Sequence, residues 1–298
     1  MARGRRRGGC LPVLVTAGLA VVLLVVAVGA VVALLRARPA PPVAERCVAH
    51  LDGTDWSMSP DQAQHAALAA AVATRRGMPA RAVTIGIATA LQESRLENID
   101  YGDRDSVGLY QQRPSQGWGT VEEIMDPVYS TTKFFEGLEK VDGYQDMAVT
   151  EAAQAVQRSG FPDAYAQHEV RARAWASALT GHSPAALSCT LRPVEEPAGT
   201  DAVLARVARD LGELPVAVTL GDGEDVPTFV DVTASALAAD DPVRAGWSLA
   251  QWAVAVADAV DLDGVTVGTS TWSRQAPSWQ PSEQAALPVG QVRLTLAG

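Results

Sequence analysis

The spacing of apolar and polar residues changes twice along the chain, and these changes divide the chain into three parts. An uncharged apolar stretch of 25 residues covers 11–35, which is longer than the roughly 20 residues that a bilayer-spanning helix needs. Helical periodicity dominates residues 47–190, and from residue 201 short alternating stretches are mixed with helical ones. The pattern predicts an α+β chain with an N-terminal transmembrane helix, a mostly helical domain and a small C-terminal α/β domain of two layers.

The charges around the apolar stretch predict its orientation. Four arginines precede it, and the positive-inside rule places them in the cytoplasm. Residues 1–10 are then a cytoplasmic tail, and residues 36–46, which contain several prolines, are a stiff linker outside the membrane. A cleaved signal peptide is the alternative, but its apolar core spans only about 7–15 residues. We therefore expect a single-pass protein of the plasma membrane whose main domains are extracellular.

Local signals predict where the elements of the helical domain begin and end. Residues 52–53 (Asp-Gly) are typical of a hairpin turn, and residues 59–62 form a capping box that starts a helix ending at Gly77. The next helix is nearly apolar on every side between residues 83 and 91, which is typical of a central, buried helix. A polar loop follows at 98–108. Further helices are predicted at 127–141, 150–157 and 163–179.

The C-terminal part follows a linker at residues 191–200 and carries no motif that identifies a chemistry. Its predicted elements are helices at 201–211 and 245–260 and strands at 215–220, 227–232, 265–269 and 289–296. Four of the seven tryptophans lie here. Trp247 and Trp252 share a predicted helix with apolar residues, so core packing is their expected role. Trp272 and Trp279 lie in a predicted loop, where stacking on a sugar or a peptide is the alternative to packing.

The charge distribution argues against nucleic acid as a partner. The formal net charge is −10, and six basic but no acidic residues precede residue 44. The 18 basic and 34 acidic residues that remain therefore give the rest of the chain a net charge of −16. A protein that binds the phosphate backbone needs a basic face instead.

The cysteines and histidines indicate whether the chain forms a disulfide or binds a metal ion. Cys47 and Cys189 are both expected outside the cytoplasm, where disulfides persist, so we expect a bridge between them. Two unrelated buried thiols are the alternative. The four histidines show no metal-ligand spacing, and we expect neither a metal nor a cofactor.

The candidate chemistry lies at the end of the buried helix, at Glu93. Helical spacing places Glu93 on the same face as Ile85 and Thr89. Desolvation of a carboxyl group against such a face raises its pKa, and a general acid must still hold its proton near neutral pH. Cleavage of a glycosidic bond needs such a proton donor. The alternative is a carboxylate that simply faces solvent at a helix end.

A second motif follows the polar loop after Glu93-Ser94, in the segment GLYQQ at residues 108–112. A Glu-Ser pair at the end of a buried helix, followed by a Gly-Leu-aromatic-Gln motif, resembles the lytic transglycosylase and goose-type lysozyme families. Stretches such as ATALQESRL and NIDYGDRDSVGLYQQRPSQGWGT are also similar to a group of membrane-anchored actinobacterial extracellular proteins. The resemblance covers residues 47–190 and implies a lysozyme-like fold for them.

The resemblance implies a role for individual residues. Glu93 matches the catalytic acid and base, and Tyr165 matches a late tyrosine that reaches it. The substrate-binding residues that it implies, with the aromatic ones stacking on sugars and the glutamines hydrogen-bonding them, are Ser94, Gly108, Leu109, Tyr110, Gln111, Gln112 and Trp118. The families' Ala-Tyr-Asn-Ala-Gly stretch is absent, and residues 155–159 stand nearest to it in the sequence.

The polar loop offers two candidates for a second carboxylate, Asp103 and Asp105. A hydrolase uses such a group to activate water. A lytic transglycosylase needs none, because the 6-hydroxyl of the sugar attacks and leaves an anhydro product. The frequency of Asp in turns favours a different interpretation, in which Asp103, Arg104 and Asp105 form a self-paired structural turn.

These observations predict extracellular cleavage of the glycan strands of peptidoglycan, by a lytic transglycosylase or a muramidase-type glycosidase. Peptidoglycan, the membrane and proteins of a cell-wall machinery are the expected partners. The alternative is a non-catalytic cell-wall-binding or scaffold protein with a degenerate lysozyme fold, which the missing Ala-Tyr-Asn motif and the acidic surface favour.

Overall fold

The computed structural model describes residues 23–31, 44–161, 163–195, 197–221 and 226–297. The predicted cytoplasmic tail lies outside these residues, as do most of the predicted transmembrane segment and most of the linker that follows it. Residues 23–31, which belong to that segment, are helical. Within the described residues, no helix combines the length and the apolar character needed to cross a membrane.

From residue 44 onwards the chain is an α+β fold. Its helices are α1 (Pro60–Arg75), α2 (Ala80–Ser94), α3 (Val121–Met125), α4 (Pro127–Leu138), α5 (Val149–Gln157), α6 (Glu169–Leu179), α7 (Thr200–Leu211) and α8 (Pro242–Val256). Its strands are β1 (Arg46–Leu51), β2 (Thr54–Met58), β3 (Leu187–Thr190), β4 (Val216–Thr219), β5 (Phe229–Thr233), β6 (Leu262–Val267), β7 (Ser270–Ser273), β8 (Gln280–Pro281) and β9 (Gln291–Leu296). Short 3₁₀ helices lie at Pro114–Gln116, Ala164–His168 and Ser235–Leu237.

The first sheet has the strand order β2-β1-β3 and is antiparallel. The predicted hairpin is present, because Asp52 (φ 51°) and Gly53 (φ 76°) adopt the positive φ values of a tight turn between β1 and β2. The sequence did not predict β3, which pairs with β1 and places Cys189 directly opposite Cys47. The predicted disulfide between these two cysteines is confirmed.

The second sheet is also antiparallel, with the order β4-β5-β9-β6-β7-β8. The four predicted C-terminal strands correspond to β4, β5, β6 and β9, whereas β7 and β8 were not predicted. Helix α8 packs against β6 and β9. Residues 222–225, between β4 and β5, lie outside the described residues.

Helix α1 begins where the sequence indicates, whereas the helix predicted at 163–179 begins only at Glu169, after the 3₁₀ helix Ala164–His168. Ser59 caps α1 in a capping box with Gln62, as predicted. Helix α2 is central, since every residue from 82 to 91 is buried. It packs against α1, α4, α5 and α6. An apolar helix surrounded in this way provides a rigid base for the polar residues at its C-terminal end.

The C-terminal residues share their core with the helical part of the chain. Helix α8 contacts α1 and α6 as well as the second sheet. The buried Gln251 of α8 donates to the carbonyl oxygens of Ala178 (2.6 Å) and Ser183 (3.1 Å). Its carboxamide oxygen accepts from the backbone N–H groups of Ala186 (2.9 Å) and Leu187 (2.8 Å). One side chain therefore satisfies four backbone groups of the segment that leads into β3.

The C-terminal tryptophans also serve this packing. Trp272 is fully buried, and its Nε1–H donates to the Cys189 carbonyl oxygen (3.2 Å). Trp279 donates to the Leu187 carbonyl oxygen (2.8 Å) and packs edge-to-face on Trp247. Stacking on a sugar, which the sequence left open for Trp272, is excluded by its burial.

Candidate functional site

Glu93 lies at the C-terminal end of α2, where the chain leaves the core. The helix ends because Arg95 (φ 59°) and Leu96 (φ 63°) adopt left-handed conformations. Ser94 is buried, and its hydroxyl donates to the carbonyl oxygens of Ala90 (3.1 Å) and Leu109 (2.7 Å). The buried hydroxyl of Ser94 therefore connects the GLYQQ segment to the helix beside Glu93.

The phenol of Tyr165 holds the Glu93 carboxyl group. Its hydroxyl donates to Glu93 Oε1 at 2.6 Å, from a ring that is fully buried in the 3₁₀ helix before α6. The structure thus brings together the two residues that the family resemblance pairs. Proximity to the Glu93 carboxylate and burial both raise the pKa of Tyr165, so the phenol keeps its proton and remains a donor.

The environment of Glu93 favours its protonated form. Burial raises the pKa of the carboxyl group, and hydrogen bonds from Tyr165 and Gln157 offset only part of that rise. Gln157, the last residue of α5, also donates from Nε2 to the Tyr110 carbonyl oxygen (2.7 Å). A role for Gln157 at the carboxyl group was not predicted, although Gln157 lies in the segment 155–159 that stands nearest to the families' Ala-Tyr-Asn stretch.

A groove runs past Glu93 and consists of two adjoining cavities. The first, of about 590 Å³, has Glu93 and Gln111 in its wall. The second, of about 600 Å³, continues it toward α4. The residues that line both cavities are Gln116, Trp118, Gln157 and Arg158. Glu93 therefore lies in an extended groove, as a site for a linear polymer requires.

Two residues of the GLYQQ segment face the core instead of the groove. Leu109 and Tyr110 are both buried, and the Tyr110 ring stacks on Phe134 with 4.5 Å between centroids. The expectation that Tyr110 stacks on a sugar is therefore wrong. Gly108 has a φ of 79°, and a Cβ atom there would lie 2.8 Å from the Ile124 carbonyl oxygen. Glycine is therefore the residue that fits this turn at the start of the segment.

The two glutamines of the segment line the first cavity. Gln111 is half-buried and donates from Nε2 to the carbonyl oxygens of Tyr101 (3.2 Å) and Gly108 (3.3 Å). Gln112 is only 2% exposed, and its Nε2 donates to the Ser130 carbonyl oxygen (3.0 Å). Gln111 is thus the glutamine with surface available to a sugar, whereas Gln112 connects the cavity wall to α4.

Asp105, one of the two candidates for a second carboxylate, is held by the polar loop and is not among the residues that line the first cavity. Its Oδ1 accepts from Arg113 Nε (2.8 Å) and from the Ser115 hydroxyl (3.0 Å), and its Oδ2 accepts from the Ser115 N–H (2.7 Å). These hydrogen bonds lower the pKa of Asp105 far below its usual range. Asp105 therefore stabilises the loop. Its partners are Arg113 and Ser115, and not Arg104 as the self-paired turn implied.

Asp103 does line the first cavity, but its side chain is 89% exposed. Arg104 Nε lies 3.9 Å from its carboxylate. On the opposite side, Trp118 is half-buried in the wall of both cavities, and its carbonyl oxygen accepts from the Tyr129 hydroxyl (3.1 Å). The aromatic surface expected at Trp118 is therefore available to the groove.

Several groove residues were not anticipated as site residues. They belong to loops or helix ends that the chain brings together from distant positions, and they are Arg104, Ser106, Arg113, Gln116, Arg158 and Phe161. Phe161 is 79% exposed at the rim of the first cavity. The exposure of the Phe161 ring could not be predicted, because the neighbouring residues in the sequence do not distinguish an exposed ring from a packed one.

Among the described residues, no group of three or more His, Cys, Asp or Glu is arranged to hold a metal ion. The acidic side chains that line the first cavity are Glu93 and Asp103, and they differ sharply in burial. The sequence matches no protein-family model and no curated protein, so the geometry of the groove carries the functional argument.

Proposed function

We propose that this protein cleaves the glycan strands of peptidoglycan outside the cytoplasm, with Glu93 as general acid and base. The observation that carries the proposal is the Glu93 carboxyl group itself. It is half-buried in the wall of an extended groove, has a raised pKa and is held at 2.6 Å by the Tyr165 hydroxyl. Protonation of a glycosidic oxygen requires a positioned carboxylic acid, and a raised pKa increases the fraction of Glu93 that holds its proton.

The reaction uses Glu93 twice. As an acid, it gives its proton to the glycosidic oxygen while the bond from that oxygen to C1 breaks. The carboxylate that remains then removes a proton from the hydroxyl group that attacks C1, which returns Glu93 to its starting form. Tyr165 donates a hydrogen bond to the carboxylate, so it stabilises the state between the two proton transfers and keeps the carboxyl group oriented, and the carboxamide of Gln157 lowers the pKa of Glu93 from the same cavity wall.

The surroundings of Glu93 favour a lytic mechanism over hydrolysis. Asp105 is fully engaged by Arg113 and Ser115, and Asp103 is 89% exposed. Neither provides the fixed second carboxylate with which a glycosidase activates water. Attack by the 6-hydroxyl of the same sugar needs only one acid and base, consumes no water and leaves a 1,6-anhydro end.

The experiment is to incubate the purified full chain with insoluble peptidoglycan and to analyse the soluble fraction by mass spectrometry. We expect muropeptides with anhydro ends, each lighter by one water than the corresponding hydrolysis product. Muropeptides with reducing ends would overturn the lytic mechanism and retain the glycosidase. Sedimentation of the protein with the wall and no released fragment would identify the non-catalytic scaffold instead.

Replacement of Tyr165 by phenylalanine is expected to move the alkaline limb of the activity profile to higher pH. The phenol hydrogen bond lowers the pKa of Glu93, so its loss raises that pKa further. Because the protonated acid is the active form, activity then persists to higher pH. A hydrogen bond to a charged group contributes about 1.5–3 kcal/mol, which corresponds to roughly one to two pH units.

The measurement is the initial rate of muropeptide release as a function of pH. Tyr144→Phe is the matched control, since Tyr144 is buried but lies outside the groove. An unchanged alkaline limb in Tyr165→Phe would show that this hydrogen bond does not tune the catalytic group.

A further inference from the structure

A glycine, Gly137, is among the residues that line the second cavity of the groove. Gly137 lies in the last turn of α4. A Cβ atom there would lie 3.0 Å from Val156 Cγ1 and 3.8 Å from the Trp118 ring. The absence of a side chain at Gly137 keeps open the space between these two walls.

The charged residues that line the second cavity are Lys140 and Arg158. Neither side chain makes a hydrogen bond or an ion pair to any residue in the described part of the chain. Glu136, an acidic residue close to Lys140 along the chain, is already paired with Lys133 Nζ at 2.9 Å. Arg158 follows α5 in a left-handed conformation (φ 53°), which ends the helix at the cavity wall.

This pair of cations contrasts with the net charge of −16 that residues 44–298 carry. The other basic residues of the groove have acidic neighbours, because Arg113 pairs with Asp105 and Arg104 lies near Asp103. The second cavity thus carries two cationic side chains, Lys140 and Arg158, without a hydrogen bond or an ion pair to a described residue, and Arg158 also lines the first cavity. A concave wall concentrates the electric field of these cations on a ligand that enters the cavity.

We infer that the second cavity binds a carboxylate carried by the glycan, so that Lys140 and Arg158 select a muramic-acid strand over a neutral N-acetylglucosamine polymer. The inference rests on the proposed function, since it assumes that the strand passes Glu93 in the first cavity. Peptidoglycan offers this carboxylate from two sources. A peptide-free muramic acid carries a free lactyl carboxylate, and a peptide-substituted one carries carboxylates on its stem peptide.

The experiment measures binding in the full chain with Glu93→Gln, which keeps the shape of the site and prevents turnover. The probes are an N-acetylglucosamine tetramer, a peptide-free muramic-acid-containing tetramer and the same tetramer with stem peptides. We expect at least one anionic probe to bind about 3- to 10-fold more tightly than the neutral one, from two partly exposed ion pairs. Added salt should weaken that preference, and the preferred probe identifies the source of the carboxylate.

Lys140→Gln combined with Arg158→Gln should abolish the preference for the anionic probes over the neutral one. Arg46→Gln combined with Arg173→Gln is the matched control, because it removes the same charge from exposed positions outside the groove. Equal affinity for neutral and anionic probes, or a preference that survives in the Lys140 and Arg158 variant, would overturn the inference alone. Failure of every probe to bind would overturn the proposed function and this inference with it.

Discussion

Glu93→Gln should reduce the rate of muropeptide release by roughly 10²- to 10⁴-fold, the contribution of a positioned general acid. Glutamine has the shape of glutamate and still accepts the Tyr165 hydrogen bond, but it cannot give or take a proton. The fold is therefore expected to survive while the chemistry does not. The release of soluble fragments from peptidoglycan, followed by liquid chromatography and mass spectrometry, measures the effect.

The same substitution should stabilise the protein at neutral pH, and the sign follows from the pKa shift. Burial raises the pKa of Glu93 in the folded state, so ionisation of this group weakens the fold as the pH rises through that pKa. Glutamine does not ionise, so the melting temperature of the Glu93→Gln variant should exceed that of the wild type at pH 7–8. The difference should vanish below the unfolded pKa of about 4.3, where both side chains are neutral.

Glu97→Gln is the control for both measurements, because Glu97 is exposed four residues away and lies outside the groove. It should change neither the rate nor the melting temperature at neutral pH. Cleavage by Glu93→Gln at the wild-type rate would remove Glu93 from the mechanism. A loss of activity accompanied by a lower melting temperature would mean that the carboxylate has a structural role instead.

Elements with strong local signals could be predicted from the sequence. The capping box at Ser59 and Gln62 fixes the start of α1, since both hydrogen bonds form within four residues. The apolar run of α2 predicts its burial, because a helix that is apolar on every side cannot face water. Glu93 follows from the same pattern, since a polar residue at the end of such a helix lies where the core meets the surface.

Apart from the disulfide and the Tyr165–Glu93 pair, features that depend on distant segments could not be predicted. β3 has four residues, and its partner β1 lies more than 130 residues earlier in the chain. Tyr110 stacks on Phe134 inside the core, although its place in a polar segment resembles that of a sugar-binding residue. Gln157 reaches Glu93 only because α5 packs against α2. In each case the tertiary contact decides the role, and the local sequence contains no record of it.

A buried charge cluster joins the helical and C-terminal parts of the molecule and was equally hidden. Asp210 of α7 is fully buried and accepts from Arg206 Nε (2.8 Å), Arg209 Nε (2.7 Å) and Trp252 Nε1 (3.1 Å). Arg206, itself 7% exposed, also donates to Gln64 Oε1 of α1 (3.0 Å). Along the chain, Arg206 and Asp210 have the spacing of an ordinary surface pair on a helix. The packing of α7 between α1 and α8 buries them.

Asp210→Asn should therefore destabilise the protein by about 3–5 kcal/mol, because it leaves the buried Arg206 guanidinium without its counter-charge. Urea unfolding followed by circular dichroism measures the change, and a single transition should persist, since α1, α7 and α8 meet at this cluster. Asp240→Asn is the control, as that side chain is 89% exposed and should shift stability by less than about 1 kcal/mol. Arg206→Met combined with Asp210→Leu should recover part of the loss, because apolar pairs often replace buried ion pairs without net cost. Asp210→Asn as stable as the wild type would show that the cluster is solvated and does not hold the two parts together.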